Sequence, residues 1–392
     1  MRSYFEGFEM AVTKVPLEPA ALHWAMKRAR TSREVLAKAA GVRPEKISAW
    51  LRGDDRPTYR QARELANRLR VSFSQLLVPP PERLQLPVQD LRRGPSRREE
   101  PSPELLDAVY DALRKRDWYR EYRRDEPLYS VISRSRRQRS PEDVAEAISK
   151  LIPVRQLQAE TSTWAEFLRR VVEKVENSGV LVLRQGYAGS NTRRVYDPKE
   201  FSGFAIADPV APVVFLNARD PVARQVFTLA HELAHVWLGE SALDAALEGP
   251  EVPPEQMERV CDRAAATLLM SEEVFAEIWT GEAYEAAQDA AKRFKVSAWA
   301  ALRRALELQL ISSDEYQRAL KLVQQAARES EGRERGGCFW ANVRIRNSPA
   351  FTRAVSEVAL RGELSAKEVA SLLNLRLGTA LDFLERAAGA PS

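Results

Sequence analysis

The chain has 392 residues, a hydrophobic fraction of 44% and a net charge of +5, and this length suggests two or three globular domains. No stretch approaches eighteen apolar residues, and the opening MRSYFEGFEMAV has Glu6 and Glu9 where a signal peptide needs an apolar core, so we expect a cytoplasmic protein with no membrane partner. The two cysteines, Cys261 and Cys338, argue against a disulfide framework.

The first part of the chain carries most of the positive charge. Residues 14–70 contain 14 Lys and Arg against 6 Asp and Glu, a net charge of +8, which leaves −3 for the rest of the chain. Such an uneven distribution predicts a polyanionic partner for this part alone. We therefore assign residues 15–80 to a basic domain and interpret its partner as double-stranded DNA.

The basic domain shows the pattern of five short helices. Within TSREVLAKAAGVRPEKISAWLRGDDRPT, Thr31 and Glu34 form a capping box that starts one helix, and Gly41 supplies a left-handed turn after it. The next helix turns Ile47 and Trp50 toward the core. Two short helices around a glycine turn, set in a helical bundle, predict a helix-turn-helix.

In a helix-turn-helix the second helix enters the major groove of DNA. The residues expected to face the bases are Arg43, Glu45, Lys46 and Ala49, and those expected along the phosphates are Arg33, Arg52 and Arg56. The alternative is a small helical bundle with a solvated basic face, but the caps, the glycine turn and the charge together favour DNA binding. The stretch LAKAAGVRPEKISAWLRGDDRPT also resembles the XRE (Cro/repressor-like) helix-turn-helix family.

A linker is expected over residues 81–103, where prolines and charges replace the helical periodicity. A second domain, over 104–312, begins with a helix and continues with three strand-like runs, GVLVLRQG, SGFAIADP and APVVFLNA. A short Asp-Pro turn separates the last two runs, as in a hairpin. The pattern after them is helical again, so we predict a mainly α fold with a small β-sheet (α+β).

The stretch FTLAHELAHVWLG contains two of the three histidines of the chain, His231 and His235, with Glu232 beside the first. Asp220 can cap a helix here and Gly239 can end it, so both histidines would lie on one helical face and could reach a single ion. Glu232 would then reach a water on that ion, which is the His-Glu-x-x-His arrangement of zinc peptidases. Chance produces this spacing in about two such chains in a thousand. The alternative is a buried helix with two hydrogen-bonded histidines.

A catalytic zinc needs a third protein ligand, and no further histidine follows. In EQMERVCDRAAATLLM, Glu258 and Asp262 lie at i and i+4 on a predicted helix. Glu258 can bind the metal, and Asp262 can accept the other ring N–H of a ligating histidine and fix its tautomer. The competing ligands are Glu240, Glu251, Glu255 and Cys261. We favour Glu258 because the other glutamates lie at the end of the first helix or in and near a proline-rich loop, and the cysteine is more typical of a core position.

FTLAHELAHVWLG and ERVCDRAAATLLM, together with FSGFAIADPVAPVVFLNARDPVARQ, look like the ImmA/IrrE family of metallopeptidases. The resemblance implies a zincin-like domain over 104–312 with one Zn²⁺ per chain. It implies His231, His235 and Glu258 as ligands and Glu232 as catalytic base. Asp262 stands where the family usually has Asn. Members of this family cleave a partner repressor, and an XRE domain is a common companion of the peptidase.

Residues 313–392 are predicted to form a helical C-terminal region. Ser365 and Glu368 make another capping box, and LSAKEVASLLNLRLGTALDFLE is compatible with a second helix-turn-helix. The charges of this stretch are mixed, so we favour a packing or sensing role over DNA contact.

Together these features predict a DNA-binding transcriptional regulator with a zinc-dependent endopeptidase domain. Its expected partners are an operator in double-stranded DNA, a repressor as protein substrate, and a second copy of the chain in a homodimer; its expected output is control of stress-response or mobile-element genes. The strand over 211–218 is expected to hold the substrate extended beside the metal. Two alternatives stay open: a transcription factor whose metal site does not hydrolyse peptides, and an antitoxin-like binding protein.

Overall fold

A computed structural model describes residues 14–29, 31–69, 71, 73–80, 101–124, 140–239, 254–329 and 339–389. They fall into two units, the first with the described residues up to Pro80 together with 101–106, and the second with the described residues from Asp107 onward. Most of the predicted linker (81–103) and Cys338 lie outside the described residues.

Short helices build the first unit. They are α1 (Pro19–Arg28), α2 (Arg33–Ala40), α3 (Pro44–Arg52) and α4 (Tyr59–Leu69), followed by a 3-10 turn at Ser74–Leu76. The fifth helix of the sequence prediction is thus a single 3-10 turn. Prolines at 79 and 80 leave this segment too short to extend the turn into an α-helix.

The start of α2 differs from the prediction by one residue. Ser32 is the N-cap, because its hydroxyl accepts the Val35 N–H at 3.4 Å, whereas the Thr31 hydroxyl donates to the Ala29 carbonyl at 3.0 Å. The turn after α2 is as predicted: Gly41 has φ +66°, in the left-handed region.

The core of the first unit joins its four helices. Ile47 and Trp50 of α3 are buried, as predicted, and pack with Leu22, Leu36 and Leu65 from the other three helices. This packing fixes α3 by one face and leaves its opposite face in solvent.

The second unit is mainly helical around a small sheet. In chain order it contains α5 (Pro103–Tyr122, whose first residues belong to the first unit), α6 (Pro141–Leu151), α7 (Val154–Glu160), α8 (Trp164–Asn177), β1 (Leu181–Gln185), β2 (Gly203–Ile206), β3 (Val213–Asn217), α9 (Val222–Leu238), α10 (Pro254–Leu269), α11 (Glu272–Ile278), α12 (Ala283–Phe294), α13 (Ala298–Glu307), α14 (Ser313–Glu329), α15 (Phe339–Asn347), α16 (Pro349–Leu360), α17 (Ala366–Leu372) and α18 (Leu377–Gly389). The prediction of a mainly α fold with a small β-sheet is confirmed. Within the described part of the chain, none of the helices combines the length and apolar character that a membrane crossing needs.

The three strands form one mixed sheet in the order β1-β3-β2. The last two strands pair antiparallel, with Phe204 opposite Phe215, so the predicted hairpin is confirmed. The first strand pairs parallel with β3, with Leu183 opposite Phe215. The strand β3 is therefore central, and its five residues are all buried. Helix α9 packs across β2 and β3, which brings the predicted metal-binding helix onto the sheet.

The C-terminal helices pack on the edge of the sheet that β1 forms. Helix α15 lies against β1, where the Gln185 side-chain amide donates to the Arg346 carbonyl at 3.1 Å. Asn374, in the turn between α17 and α18, donates to Asp111 of α5 at 2.9 Å, and the fully buried Lys115 pairs with the same carboxylate. The capping box of Ser365 is present as predicted.

Candidate metal centre and DNA-binding surface

Helix α9 holds the two histidines. It begins at Val222, directly after Pro221, and ends at Gly239 with φ +70°, as predicted. The predicted cap is wrong: the N-cap is Pro221, and Asp220 instead pairs with the Arg224 guanidinium one turn on, at 3.2 Å. The helix packs on both faces, against the sheet and against α10, so its middle is buried.

His231 and His235 lie one turn apart and face the same point. Their Nε2 atoms are 3.0 Å apart, and their exposed fractions are 1% and 3%. Two ring nitrogens that direct lone pairs at each other over this distance repel, unless a proton or a cation lies between them. The sequence prediction that both imidazoles share one helical face is thus met by the geometry.

Glu258 completes a cluster of three donors. Its Oε1 is 3.1 Å from His235 Nε2 and its Oε2 is 3.4 Å from His231 Nε2. The packing of α10 on α9 produces this approach, because Met257 and Cys261 on neighbouring positions of α10 are buried in the core. The three ligand atoms lie within 4.8 Å of one another.

This donor set fits a metal ion. Zinc binds imidazole nitrogen and carboxylate oxygen at about 2.0–2.1 Å in a tetrahedron, whose edges are then roughly 3.3–3.4 Å. The observed separations of 3.0, 3.1 and 3.4 Å are close to these edges. Two imidazoles and one carboxylate occupy three corners, so a fourth position is left for water or substrate.

Asp262 contacts the other ring nitrogen of His231. Its Oδ1 lies 3.2 Å from His231 Nδ1, so the ring donates its Nδ1–H to the carboxylate and directs the Nε2 lone pair toward the cluster. A metal-ligating histidine usually donates its other N–H in this way.

Glu232 is buried on the side of α9 that contacts β2. It is 6% exposed and follows His231 directly. A Cβ placed on Gly203 of β2 would lie 3.5 Å from Glu232 Cγ and 2.5 Å from Thr228 Cγ2. The missing side chain of Gly203 therefore allows the strand to lie directly against α9 beside the glutamate, a role that sequence reasoning missed.

The competing ligands can now be placed. Glu255 is exposed in the first turn of α10, and Cys261 is buried in the hydrophobic core. Neither belongs to the cluster of three. Glu240 and Glu251 lie outside the described residues.

The expectation that the strand over 211–218 offers its edge to a substrate is wrong. That segment is β3, whose two sides are both paired, one with β1 and the other with β2. Its sequence VVFLN, apolar except for Asn217, is typical of a central buried strand. Among the described residues, β1 and β2 each pair with one strand only. Helix α15 packs on β1, whereas β2 contacts α9.

The predicted DNA-contact residues lie on one unit with their charges in solvent. Exposed side chains are Arg33, Arg43, Glu45, Lys46, Arg52 and Arg56, whereas Ala49 is half-buried. Helices α2 and α3 meet around Gly41 as a helix-turn-helix requires, so the predicted face exists.

Two acidic residues after α3 engage this basic face, and sequence reasoning missed them. Asp55 accepts from Lys46 Nζ and from Lys14 Nζ, each at 2.6 Å. These two lysines hold the pKa of the Asp55 carboxyl well below its usual range. Asp54 likewise pairs with Arg52 at 2.7 Å. The run Gly-Asp-Asp-Arg directly after the predicted second helix was the available signal.

Comparison with known proteins supports both regions. Residues 22–76 match the family described as helix-turn-helix, and residues 175–306 match the family described as IrrE N-terminal-like domain. The radiation response metalloprotease IrrE of Deinococcus radiodurans is 39% identical over 102 residues, covering 24% of this chain and 31% of the relative. The match thus spans about a third of that relative's length.

Proposed function

We propose that this chain, which carries a helix-turn-helix domain and an IrrE-like metallopeptidase domain, is a DNA-binding regulator that cleaves a partner repressor with a zinc-dependent endopeptidase centre. The observation that carries the proposal is the convergence of His231, His235 and Glu258, with Glu232 buried beside them. The target genes proposed are those of a stress response or a mobile element.

In this proposal His231, His235 and Glu258 hold one zinc ion, which would supply a water of lowered pKa and polarise the substrate carbonyl. Asp262 keeps the His231 ring in the tautomer that presents Nε2 to the site. Glu232 is the general base: its carboxylate takes a proton from the attacking water and passes it to the leaving amine. The burial of Glu232 limits its contact with bulk water.

The substrate is proposed to lie along β2. This strand contacts α9, and the edge on which it pairs with no other strand among the described residues carries backbone N–H and C=O groups that can pair with an extended peptide. Pairing at the edge would hold one peptide bond near Glu232, since Gly203 brings β2 against that residue. A repressor segment would then need to be extended, as in a loop or linker.

The first unit is proposed to bind an operator. Its helix α3 is held to the core by Ile47 and Trp50, and its other face presents Arg43 and Lys46 to solvent. A net charge of +8 over residues 14–70 supports binding to the phosphates as well as to base edges.

The proposal is tested by replacing the general base. Glu232→Gln keeps size and hydrogen bonding but cannot accept a proton, so cleavage should fall by at least ~10²-fold while folding, zinc content and DNA binding stay unchanged. The measurement is the cleavage rate of purified repressors encoded beside the gene, with Glu273→Gln, an exposed glutamate of the same unit, as control. The same variants are then expressed in cells and the output of the regulated genes is recorded.

Normal gene regulation in cells that carry Glu232→Gln would rule out proteolysis as the mode of action. The metal-binding regulator that does not hydrolyse peptides would then be the function to adopt.

A further inference from the structure

Helices α10 and α13 are tied together by charged side chains beside the metal centre. Arg303 of α13 places Nη2 3.5 Å from Asp262 Oδ2. The next residue of each helix makes a different contact. Arg263 of α10 pairs with Glu307 of α13 at 2.9 Å, and Arg304 of α13 donates to Thr267 of α10 at 3.4 Å. Only the first of these three contacts leads back to a histidine of the cluster.

The two oxygens of Asp262 face different partners. Oδ1 lies 3.2 Å from His231 Nδ1, and Oδ2 lies 3.5 Å from the Arg303 guanidinium. The guanidinium also lies over the Trp299 ring, one turn earlier on α13, with its central carbon 5.7 Å from the ring centroid. Arg303 is thus held between an aromatic face and the carboxylate, although 55% of its side chain is exposed.

We infer that Arg303 is a positioning residue for the metal centre, acting on His231 through Asp262. The Asp262 carboxylate can rotate about its Cβ–Cγ bond and so turn either oxygen, or neither, toward the histidine. The Asp262 side chain is 23% exposed, so packing alone does not prevent this rotation. An ionic contact on Oδ2 restricts that rotation and keeps Oδ1 on the ring N–H. The histidine then keeps its Nε2 directed at the point where Glu258 and His235 meet.

This inference rests on the proposed metal centre and deepens it. Outer partners of a ligating histidine typically contribute about 10–100-fold to metal affinity. Arg303 acts one contact further out and from a solvated position, so its share should be smaller, about 3–10-fold.

The experiment measures zinc affinity of the full-length protein by competition with a chromophoric chelator. The variants are Arg303→Met, Arg303→Lys and the control Arg263→Met, which breaks the neighbouring ion pair between the same two helices without touching Asp262. Arg303→Met should weaken zinc binding about 3–10-fold, Arg303→Lys should weaken it less, and Arg263→Met should leave it within about 2-fold. The absorption bands of the Co²⁺-loaded protein should shift in Arg303→Met alone, because ligand orientation has changed.

The same Arg303 substitution is repeated in an Asp262→Ala background, where it should have no further effect because the connecting carboxylate is gone. An equal loss in Arg303→Met and Arg263→Met, or a loss that persists without Asp262, overturns the inference and leaves only a structural contact. Tighter zinc binding by Arg303→Met also overturns it, since charge repulsion would then outweigh orientation. Failure of the unaltered protein to bind zinc at all would instead overturn the proposed function.

Discussion

The candidate metal centre and the candidate DNA-binding surface place their charged groups in opposite surroundings. At the metal centre His231 and His235 are almost fully buried, and every distance is set by helices that pack on both sides. On the first unit, Lys46 and Arg52 are mostly exposed and pair with acidic neighbours rather than with the core. Packing therefore determines the first geometry, whereas exposed ion pairs orient the charged groups of the second.

The difference predicts how each region responds to substitution. A buried donor that loses its partner keeps its desolvation cost, so a single change should have a large effect. An exposed ion pair contributes little, since water and salt replace it, so a single change should have a small effect.

The largest effect is expected at the third ligand. Glu258→Gln removes the negative charge of the carboxylate whose two oxygens face His235 and His231, so zinc affinity should fall by more than the roughly 10–100-fold typical of an outer partner. Asp262→Ala should cost less, and Glu255→Gln, an exposed glutamate on the same helix, should cost nothing. Metal content after dialysis against a chelator series checks all three. Full occupancy in Glu258→Gln would show that another carboxylate is the ligand.

The half-buried carboxylate of Glu176 tests whether partial removal from water, with no metal nearby, also gives a substitution a large effect. Glu176 of α8 accepts the Ala350 N–H at 3.1 Å, at the start of α16, and burial raises its pKa to about 7. The folded pKa lies above the ordinary 4.5, so the folded protein holds the proton more tightly. Its stabilising contribution is complete below pH 4.5 and is lost as the pH rises through 7. The loss is on the order of 3 kcal/mol at most.

Glu176→Gln should remove this pH dependence. The variant should match the unaltered protein near pH 4.5 and be more stable than it at pH 8, as measured by denaturant unfolding at both pH values. Glu173→Gln, an exposed glutamate on the same helix, is the control and should follow the unaltered protein. Identical pH profiles in all three proteins would show that Glu176 titrates near its ordinary value.

The third effect is steric and concerns the contact between β2 and α9. Gly203→Ala would put a methyl group 2.7 Å from the Phe215 carbonyl oxygen and 2.5 Å from Thr228 Cγ2, so strand or helix must move. We expect a loss of about 1–3 kcal/mol in the free energy of unfolding, and a fall in cleavage because Glu232 lies on the same side of the helix. Gly378→Ala, in a helix with open space around it, should be neutral or stabilising. Equal stability of the two variants would mean that β2 does not approach α9 this closely.

The approach of His231, His235 and Glu258 could be predicted because the information behind it is local and periodic. Two histidines four residues apart, and Glu258 four residues before Asp262, share helical faces whatever the rest of the chain does. The hairpin of β2 and β3 followed from a turn between two apolar runs. The identity of the edge strand did not follow, because the pairing of β1 with β3 is a long-range contact that no local pattern encodes.

Helix ends and surface partners were the other failures, and both depend on single side-chain rotamers. Ser32 and Thr31 are both residue types that cap helices, and the path of the chain decides which of them does so. Asp220 pairs with Arg224 and leaves the helix start to Pro221. The lysines drawn to Asp55 come from α3 and from a position 41 residues away in the chain, so sequence spacing could not reveal both.

The smallest effect is expected at Asp55, and its sign is the informative part. Lys46 lies on the helix proposed to enter the groove, yet its ammonium is paired with Asp55, as is that of Lys14. Each phosphate that a lysine neutralises releases a counterion and steepens the salt dependence of binding by about 0.9 in the slope of log affinity against log salt. Asp55→Asn should therefore raise the affinity for DNA of random sequence about 2–5-fold at low salt and steepen the slope by up to about one lysine's share. Lys46→Ala should lower affinity and change sequence preference, whereas Arg56→Ala should weaken all sites alike.

Glu64→Gln separates local release from net charge, because it removes the same charge from an exposed position on α4 of the same unit. The measurement is a salt titration of binding by the full-length protein to an operator and to random DNA. An equal gain in Asp55→Asn and Glu64→Gln would show that only net charge matters. A loss of operator affinity in Asp55→Asn, with random DNA unaffected, would show that Asp55 orients Lys46 toward a base. In that case the side chains of the exposed surface are oriented as definitely as those of the buried metal centre. The two regions would then differ in the free energy that each contact contributes, and not in how well its side chains are positioned.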